Sequence, residues 1–312
     1  MKYFLSVCIP TYNGGDNLKY IINKLIKIQP KYEFEICVSD NDSTDNTLKF
    51  MLDNVQKYSF IKYNRNKENL GFVYNFDYVL NMANGEYRWL LGDDDDIVEE
   101  NLSKVINVLK REKADICVVN GKSLRPGLRV NNIKSGCFYD KNEVLSKLAE
   151  HMSWISTLIL KKNVVTELQI KKNTDNAFPH LIEILKFLNE NCNLYWLNEC
   201  CVKVQKNMQQ RYATHFLEYF IRDWVHIVDK IDDYNDEAKT AFIKAIERRS
   251  FKFRSILNLR GKNLINDEAL NLCKEELKRF SFKTRFSIFF VNFLPVFILN
   301  KLYKVFEILK GR

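Results

Sequence analysis

The sequence predicts an α/β protein: a mostly parallel sheet with helices on both sides and a helical C-terminal extension. Two observations carry this expectation. Short apolar runs alternate with segments whose apolar residues recur every three to four positions, the βαβα order that builds parallel sheets. Three of the runs end in polar clusters, at Pro10–Asn13, Ser39–Ser43 and Asp93–Asp96. In open parallel sheets ligands lie beyond the carboxyl ends of the strands.

Each element has its own signal. Residues 4–9 are nearly all apolar, as a strand covered on both faces requires. Leu18, Ile21, Ile22, Leu25 and Ile26 follow at helical spacing, with Asp16 as the expected N-cap. Phe34–Val38 reads as the second strand, and Leu48, Met51, Leu52 and Val55 as one face of the second helix. Phe60–Tyr63 is a third strand, and the helix after it closes at Asn84-Gly85, a C-cap signal. Tyr87–Leu91 leads into four consecutive aspartates, then a helix carrying Leu102, Val105, Ile106 and Leu109, then a strand at Asp115–Val119. Beyond residue 120 the pattern weakens. Trp154–Leu160 and Tyr195–Val204 read as strands, Phe178–Leu188 as a helix, and 211–259 as amphipathic helices.

The chain has 312 residues and a net charge of +9, of which +8 falls in residues 251–312. A near-neutral front argues against a nucleic-acid groove, and a basic tail points to an anionic surface. Eight cysteines lack metal or disulfide spacing, and Cys8, Cys37 and Cys117 sit in strand-like runs, so reduced buried thiols are expected. No signal peptide opens the chain, and a cytoplasmic protein is the expectation.

Four adjacent aspartates repel one another unless a cation joins them or some keep a proton. Hard cations such as Mg²⁺ and Mn²⁺ take one or two carboxylates plus substrate phosphates. Asp40–Asp45 has the look of a calcium loop, but Asp45 and Met51 stand where an EF-hand needs Gly and Glu. Gly14-Gly15 does not supply a dinucleotide-binding fingerprint, and no Walker-A sequence occurs. What remains is a nucleotide pocket without a glycine-rich phosphate loop, in which Asp40 reads the base while Asp42 and Ser43 cap a helix.

Taken together, Pro10-Thr11-Tyr12-Asn13, Asp40 to Thr47, Asn69-Leu70-Gly71, Gly85-Glu86-Tyr87 and Leu91 to Asp96 resemble the family 2 glycosyltransferases. Within them the match is to the abequosyltransferase-like branch of bacterial surface-polysaccharide enzymes. The resemblance is strong over residues 1–120 and weak over 120–205. It implies a GT-A fold in residues 1–210, with a nucleotide-sugar half (1–120) and an acceptor half (121–210), and a helical region over 211–312. It implies an inverting transfer from a UDP-, dTDP- or GDP-sugar to a glycan or polyprenyl-linked acceptor, with Mg²⁺ or Mn²⁺. Carried onto this chain, Pro10, Thr11, Tyr12, Asn13, Asp40, Asn69, Gly71, Asn75, Asp93 and Asp94 would bind donor. Asp93 and Asp95 would hold the metal, with a shift to Asp94 and Asp96 left open.

The family's acidic pair for the general base is missing; at its place stands Asn173–Leu181, which offers Asp175 or His180. Phe286–Leu299 is apolar, too short and too interrupted (Asn292, Pro295) for a span, and with the flanking Lys283, Arg285, Lys301 and Lys304 makes residues 283–310 fit an element lying at an anionic membrane's inner face. The rival readings are a sugar nucleotidyltransferase, disfavoured because Pro10–Gly15 holds no basic residue, and a non-catalytic sugar-nucleotide-binding subunit.

Overall fold

The structure is a computed structural model that describes residues 3–124, 126–205 and 216–295. It divides into two compact units. The first comprises Met1–Lys141, His151–Thr174 and Pro179–Met208; the second comprises Asn142–Glu150, Asp175–Phe178 and Gln209–Arg312.

Nine strands among the described residues form the sheet of the first unit: β1 (Leu5–Thr11), β2 (Glu35–Asp40), β3 (Ile61–Arg65), β4 (Tyr87–Leu90), β5 (Asp95–Ile97), β6 (Ile116–Lys122), β7 (Gly136–Phe138), β8 (Leu158–Lys161) and β9 (Leu194–Val204). Their order is β3-β2-β1-β4-β8-β6-β9-β5, with β7 also on β9. The first four are mutually parallel. β8 runs antiparallel between β4 and β6, while β6 and β9 are parallel. β1 and β2 are buried at every position, as expected for strands covered by helices on both faces. The covering helices include α1 (Gly15–Tyr32), α2 (Thr47–Val55), α3 (Phe72–Met82) and α4 (Leu102–Glu112). α1 buries Leu18, Ile21, Ile22, Leu25 and Ile28, a stripe at helical spacing, against the sheet core.

Several local expectations are corrected. Gly14, not Asp16, precedes α1, and Asp16 lies in the first turn, where a carboxylate favours the helix dipole. α3 ends at Met82 with Ala83 as its cap, so Gly85 is not a left-handed cap. Its smallness serves packing: a Cβ there would lie 2.3 Å from Ser6 Oγ and 2.8 Å from the Ser6 nitrogen. Gly85 N–H donates to Ser6 Oγ (2.8 Å) and to Glu35 Oε1 (3.0 Å). Only Leu158–Lys161 of the Trp154–Leu160 run is strand, because Ile155–Thr157 forms a 3₁₀ turn. The aspartate run is not simply a turn: Asp95–Ile97 is strand β5, paired antiparallel with β9.

The second unit is helical, with Asp223–Asp229, Asp236–Ser250, Phe253–Gly261, Asp267–Leu272 and Phe282–Phe293 as its main helices. Asn235, Asn266 and Ser281 cap three of them by accepting from the backbone N–H groups of Ala238, Ala269 and Thr284. Trp224 packs against Phe242 (5.2 Å between ring centres) and Phe178 (4.6 Å). Residues 296–310 of the apolar tail lie outside the described residues. No helix among the described residues is long and apolar enough to cross a membrane.

Replacing Gly85 by Ala should destabilise the protein by about 1–3 kcal/mol through overpacking against Ser6 backbone. Urea denaturation should show a lower midpoint at unchanged slope; an unchanged midpoint would contradict the packing account.

Candidate functional site

The carboxyl ends of β1 and β2 and the acidic loop after β4 come together. Thr11, the last residue of β1, donates from Oγ1 to Asp93 Oδ2 at 2.6 Å, and its carbonyl accepts from Asn41 N–H at 2.9 Å. Gly14 sits against this pair, since a Cβ there would fall 2.4 Å from Thr11 Oγ1 and 2.9 Å from Asp93 Oδ2. Asn13 adopts a left-handed φ of 53°. It donates its N–H to Ser43 Oγ at 2.8 Å and accepts from Thr44 N–H at 2.8 Å. Tyr12 is 40% exposed beside it.

Asp40 ends β2 in full burial. Its Oδ1 accepts from Ser43 N–H (2.8 Å) and Ser43 Oγ (2.5 Å), and its Oδ2 accepts from Tyr63 OH (2.7 Å). Three of the roughly four acceptor sites of a carboxylate are thus engaged. Ser43 and Asp42 do not cap α2, whose cap is Asn46. Ser43 instead ties Asp40 to Asn13, and Asp42 is paired with Arg65 at 2.6 Å.

Asn69, Gly71 and Asn75 join the same end through an asparagine network. Asn41 Nδ2 donates to Asn69 Oδ1 (2.7 Å) and to the Gly71 carbonyl (3.2 Å). Gly71, at φ 82°, precedes α3 in a conformation that favours glycine. Asn75 donates to the Thr11 and Ser39 carbonyls and accepts from Ser39 Oγ and Asn66 Nδ2. Its amide is thereby fully engaged, so the structure gives Asn75 the role of a tie between strand ends.

The aspartates separate by strand geometry. Side chains alternate along a strand, so Asp95 and Asp96 of β5 leave on opposite faces. Asp96 pairs with Lys24 (2.7 Å) and with Lys203 (3.3 Å), its cross-strand neighbour, and accepts from Tyr20 OH (3.2 Å). Asp96 is thereby neutralised by two lysines. Asp95 Oδ2 accepts from Trp154 Nε1 at 2.6 Å and from Ser156 Oγ. Gln205 pins the run from β9, its N–H on the Asp94 carbonyl and its Nε2 on that of Asp95, both at 3.0 Å. Burial pushes the Asp95 carboxyl up to about 7, with Asp94 and Asp93 adding to the shift and the Ser156 and Trp154 hydrogen bonds opposing it.

This chemistry suits a divalent cation. A buried carboxylate crowded by like charges is costly as an anion and gains from a positive partner. Among the described residues no three His, Cys, Asp or Glu side chains form a preassembled metal cluster. A hard cation needs only one or two carboxylates beside substrate phosphates.

The two candidate bases lie in different units. His180 opens the helix Pro179–Glu190 in the first unit, 2% exposed, with its ring 5.6 Å from that of Phe76. Burial pushes its imidazole down to about 4, and backbone groups of Met152 and Ser153 only partly counter this. Asp175 belongs to the second unit, with its side chain 65% exposed and 3.2 Å from Lys230. Partial burial raises its carboxyl, but the Lys230 hydrogen bond and charge prevail and hold it below the usual range.

Sequence reasoning missed Tyr63, Arg65, Lys24, Trp154, Ser156, Lys203 and Gln205. The strand-end argument could have found Arg65, which closes β3, and Tyr63 two residues before it. The others act from segments whose spacing carries no sign of the aspartates they hold.

Comparison with known proteins now has a site to explain. The chain is 29% identical over 222 residues to the abequosyltransferase RfbV of Salmonella typhimurium, covering 62% of this chain and 64% of that protein. It spans less than two thirds of the length of the curated relatives it matches first. The crystal structure of Staphylococcus aureus TarS 1–349 with UDP-GlcNAc aligns at a TM-score of 0.57 and 19% identity, over 84% of this chain and 80% of that one. The Pyrobaculum calidifontis mannosyltransferase PcManGT, with GDP-Man and Mn²⁺, aligns at 0.52 and 12% identity, over 94% and 87%. The likeness to these structures establishes the GT-A glycosyltransferase fold. With the glycosyl transferase family 2 model matching residues 6–164, half of its length, the chain belongs to glycosyl transferase family 2.

Proposed function

We propose that this chain is an inverting, metal-dependent glycosyltransferase that builds a bacterial surface glycan. The observation that carries the reading is the pair Asp93 and Asp95, each held by a hydroxyl donor (Thr11 and Ser156) beyond the carboxyl ends of parallel strands. The donor is a sugar on UDP, dTDP or GDP, and the acceptor a glycan or a polyprenyl-linked saccharide. The relatives support this: RfbV is named an abequosyltransferase, TarS was crystallised with UDP-GlcNAc and PcManGT with GDP-Man and Mn²⁺.

In the reaction, the acceptor hydroxyl oxygen forms a bond to the sugar C1 while the bond from C1 to the diphosphate oxygen breaks, with inversion. Tyr12, Asn13, Asp40 and Asn69 frame the base and ribose end, and Asp93 to Asp95 face the diphosphate. Asp93 and Asp95 would hold Mg²⁺ or Mn²⁺, which when bound would supply positive charge to the leaving diphosphate. The hydroxyl proton goes to the base, Asp175 or His180. Asp175 is accessible and held ionised by Lys230, whereas His180 is neutral and enclosed.

An exposed helix face of the second unit supports a membrane role. The helix Phe282–Phe293 exposes Phe282, Phe286, Phe289, Phe290 and Phe293, with Phe282 at 74% and Phe293 at 69%. They recur at helical spacing and form one apolar face, opposite the buried Thr284, Ile288 and Val291. Lys283 and Arg285 on the same helix would meet lipid phosphates at the cytoplasmic face.

Three measurements test this reading. Thermal shift against UDP-, dTDP- and GDP-sugars should reveal one donor whose stabilisation requires Mn²⁺ and is weakened in Asp95→Asn. The sign of the pH dependence is set by the raised Asp95 carboxyl. Its stabilisation is complete below the unfolded value of about 4 and is lost as pH rises through about 7. Without metal, the wild-type advantage in Tm over Asp95→Asn should therefore shrink between about pH 5 and about pH 8. Mn²⁺ should stabilise the wild type more at the higher pH, where no proton competes; equal stabilisation at both would count against Asp95 as ligand.

Replacing the base, Asp175→Asn or His180→Gln, should cut kcat by roughly 10²–10⁴-fold with donor affinity retained. Unchanged turnover in both variants would remove the assignment. Finally, the full chain should sediment with anionic phospholipid vesicles at low salt, and Phe286→Ser/Phe290→Ser should not. A wild type that stays in the supernatant would end the membrane reading.

A further inference from the structure

Asp95 is held in an asymmetric way. Among the described residues, its side-chain hydrogen bonds from Trp154 Nε1 and Ser156 Oγ both go to Oδ2, and none goes to Oδ1. Two donors on one oxygen fix the carboxylate plane and leave the other oxygen to an incoming charge.

Both donors are themselves immobilised. Ser156 is fully buried, and its hydroxyl accepts from Gly92 N–H at 2.9 Å while its carbonyl accepts from Trp89 Nε1 at 2.9 Å. The Gly92 N–H therefore polarises the hydroxyl that serves Asp95. The Trp154 ring lies flush on Gly121, where a Cβ would come within 2.7 Å of Cζ3. The Arg129 guanidinium covers the ring at 5.6 Å from its centre. The Trp154 carbonyl accepts from Thr157 N–H at 2.9 Å, which closes the turn. A tryptophan and a serine two residues apart thus reach one oxygen because Ile155–Thr157 is a 3₁₀ turn.

Resting on the metal-dependent reading above, we propose that Trp154 and Ser156 are positioning residues that preset Asp95 for a divalent cation, locking Oδ2 and presenting Oδ1. A carboxylate already in its bound rotamer loses less entropy on binding, and partners behind a metal ligand typically change metal affinity by about 10–100-fold.

The test is a Mn²⁺ titration of the full chain in the presence of UDP, with GDP in parallel. It is read by the Mn²⁺-dependent rise in Tm and by quenching of tryptophan fluorescence. Ser156→Ala and Trp154→Phe should each raise the Mn²⁺ midpoint by about 10–100-fold, and the phenylalanine variant should lose part of the quenching. A merely structural role would lower the metal-free Tm and leave the midpoint at the wild-type value. That outcome, in both variants, overturns the inference while the metal-dependent reading stands. Wild-type protein that takes up no Mn²⁺ with either nucleotide overturns both. Two variants are used so that misfolding of one leaves the other to decide.

Discussion

Four adjacent carboxylates at a buried strand end are the constraint from which the first unit's architecture follows. Two like charges about 4 Å apart repel by about 4 kcal/mol at the effective dielectric near a protein surface, and here three of the four residues are buried. The fold meets this by dividing the run. β5 turns Asp96 to one face, where Lys24 and Lys203 neutralise it. It turns Asp95 to the other, where Trp154 and Ser156 donate to a single oxygen. Asp93, ahead of the strand, is held by Thr11. The result is one carboxylate neutralised by two lysines and two held by hydroxyl donors.

The rest of the candidate site is built from neutral ties. Ser39, Asn41, Asn66, Asn69 and Asn75 link the ends of β1, β2 and β3 to the start of α3 through short side-chain bonds. Asparagine suits this because one amide both donates and accepts, so a network of them satisfies itself without added charge. Two carboxylates nonetheless take part in this polar frame. Asp40 collects Ser43 and Tyr63 at the carboxyl end of β2, and Glu35 collects Ser6, Asn84 N–H, Gly85 N–H and Lys62 at its amino end. The glycines are small for the same reason: Gly14, Gly85, Gly92 and Gly121 each have a polar or aromatic group where a Cβ would be.

The strand-and-helix alternation up to residue 122 was legible because buried strands read as short continuous apolar runs and helices carry a 3.6-residue period in their own residues. Asp40, Thr11 and the aspartate run were legible because a strand's carboxyl end is visible where apolar residues stop. Three local readings failed for one shared reason. The Asp16 cap, the Gly85 cap and the capping role of Asp42 and Ser43 were inferred from neighbours in sequence. Asp42, Ser43 and Gly85 answer instead to a partner or a clash elsewhere (Arg65, Asn13 and Ser6), while Asp16 pairs with Lys19 within its own helix.

By itself, the sequence determined the α/β class, the three polar strand ends and the identity of the carboxylates, all properties of consecutive residues. The tertiary structure alone decided which side chains meet the aspartates. Lys24, Trp154, Ser156, Lys203 and Gln205 reach the run across separations of about 60 to 112 residues. It also decided that Asn142–Glu150 and Asp175–Phe178 join the helical unit. Such pairings carry no local period, because they are set by where the sheet brings distant backbone together and by the need of each buried charge for a counter-charge or a donor.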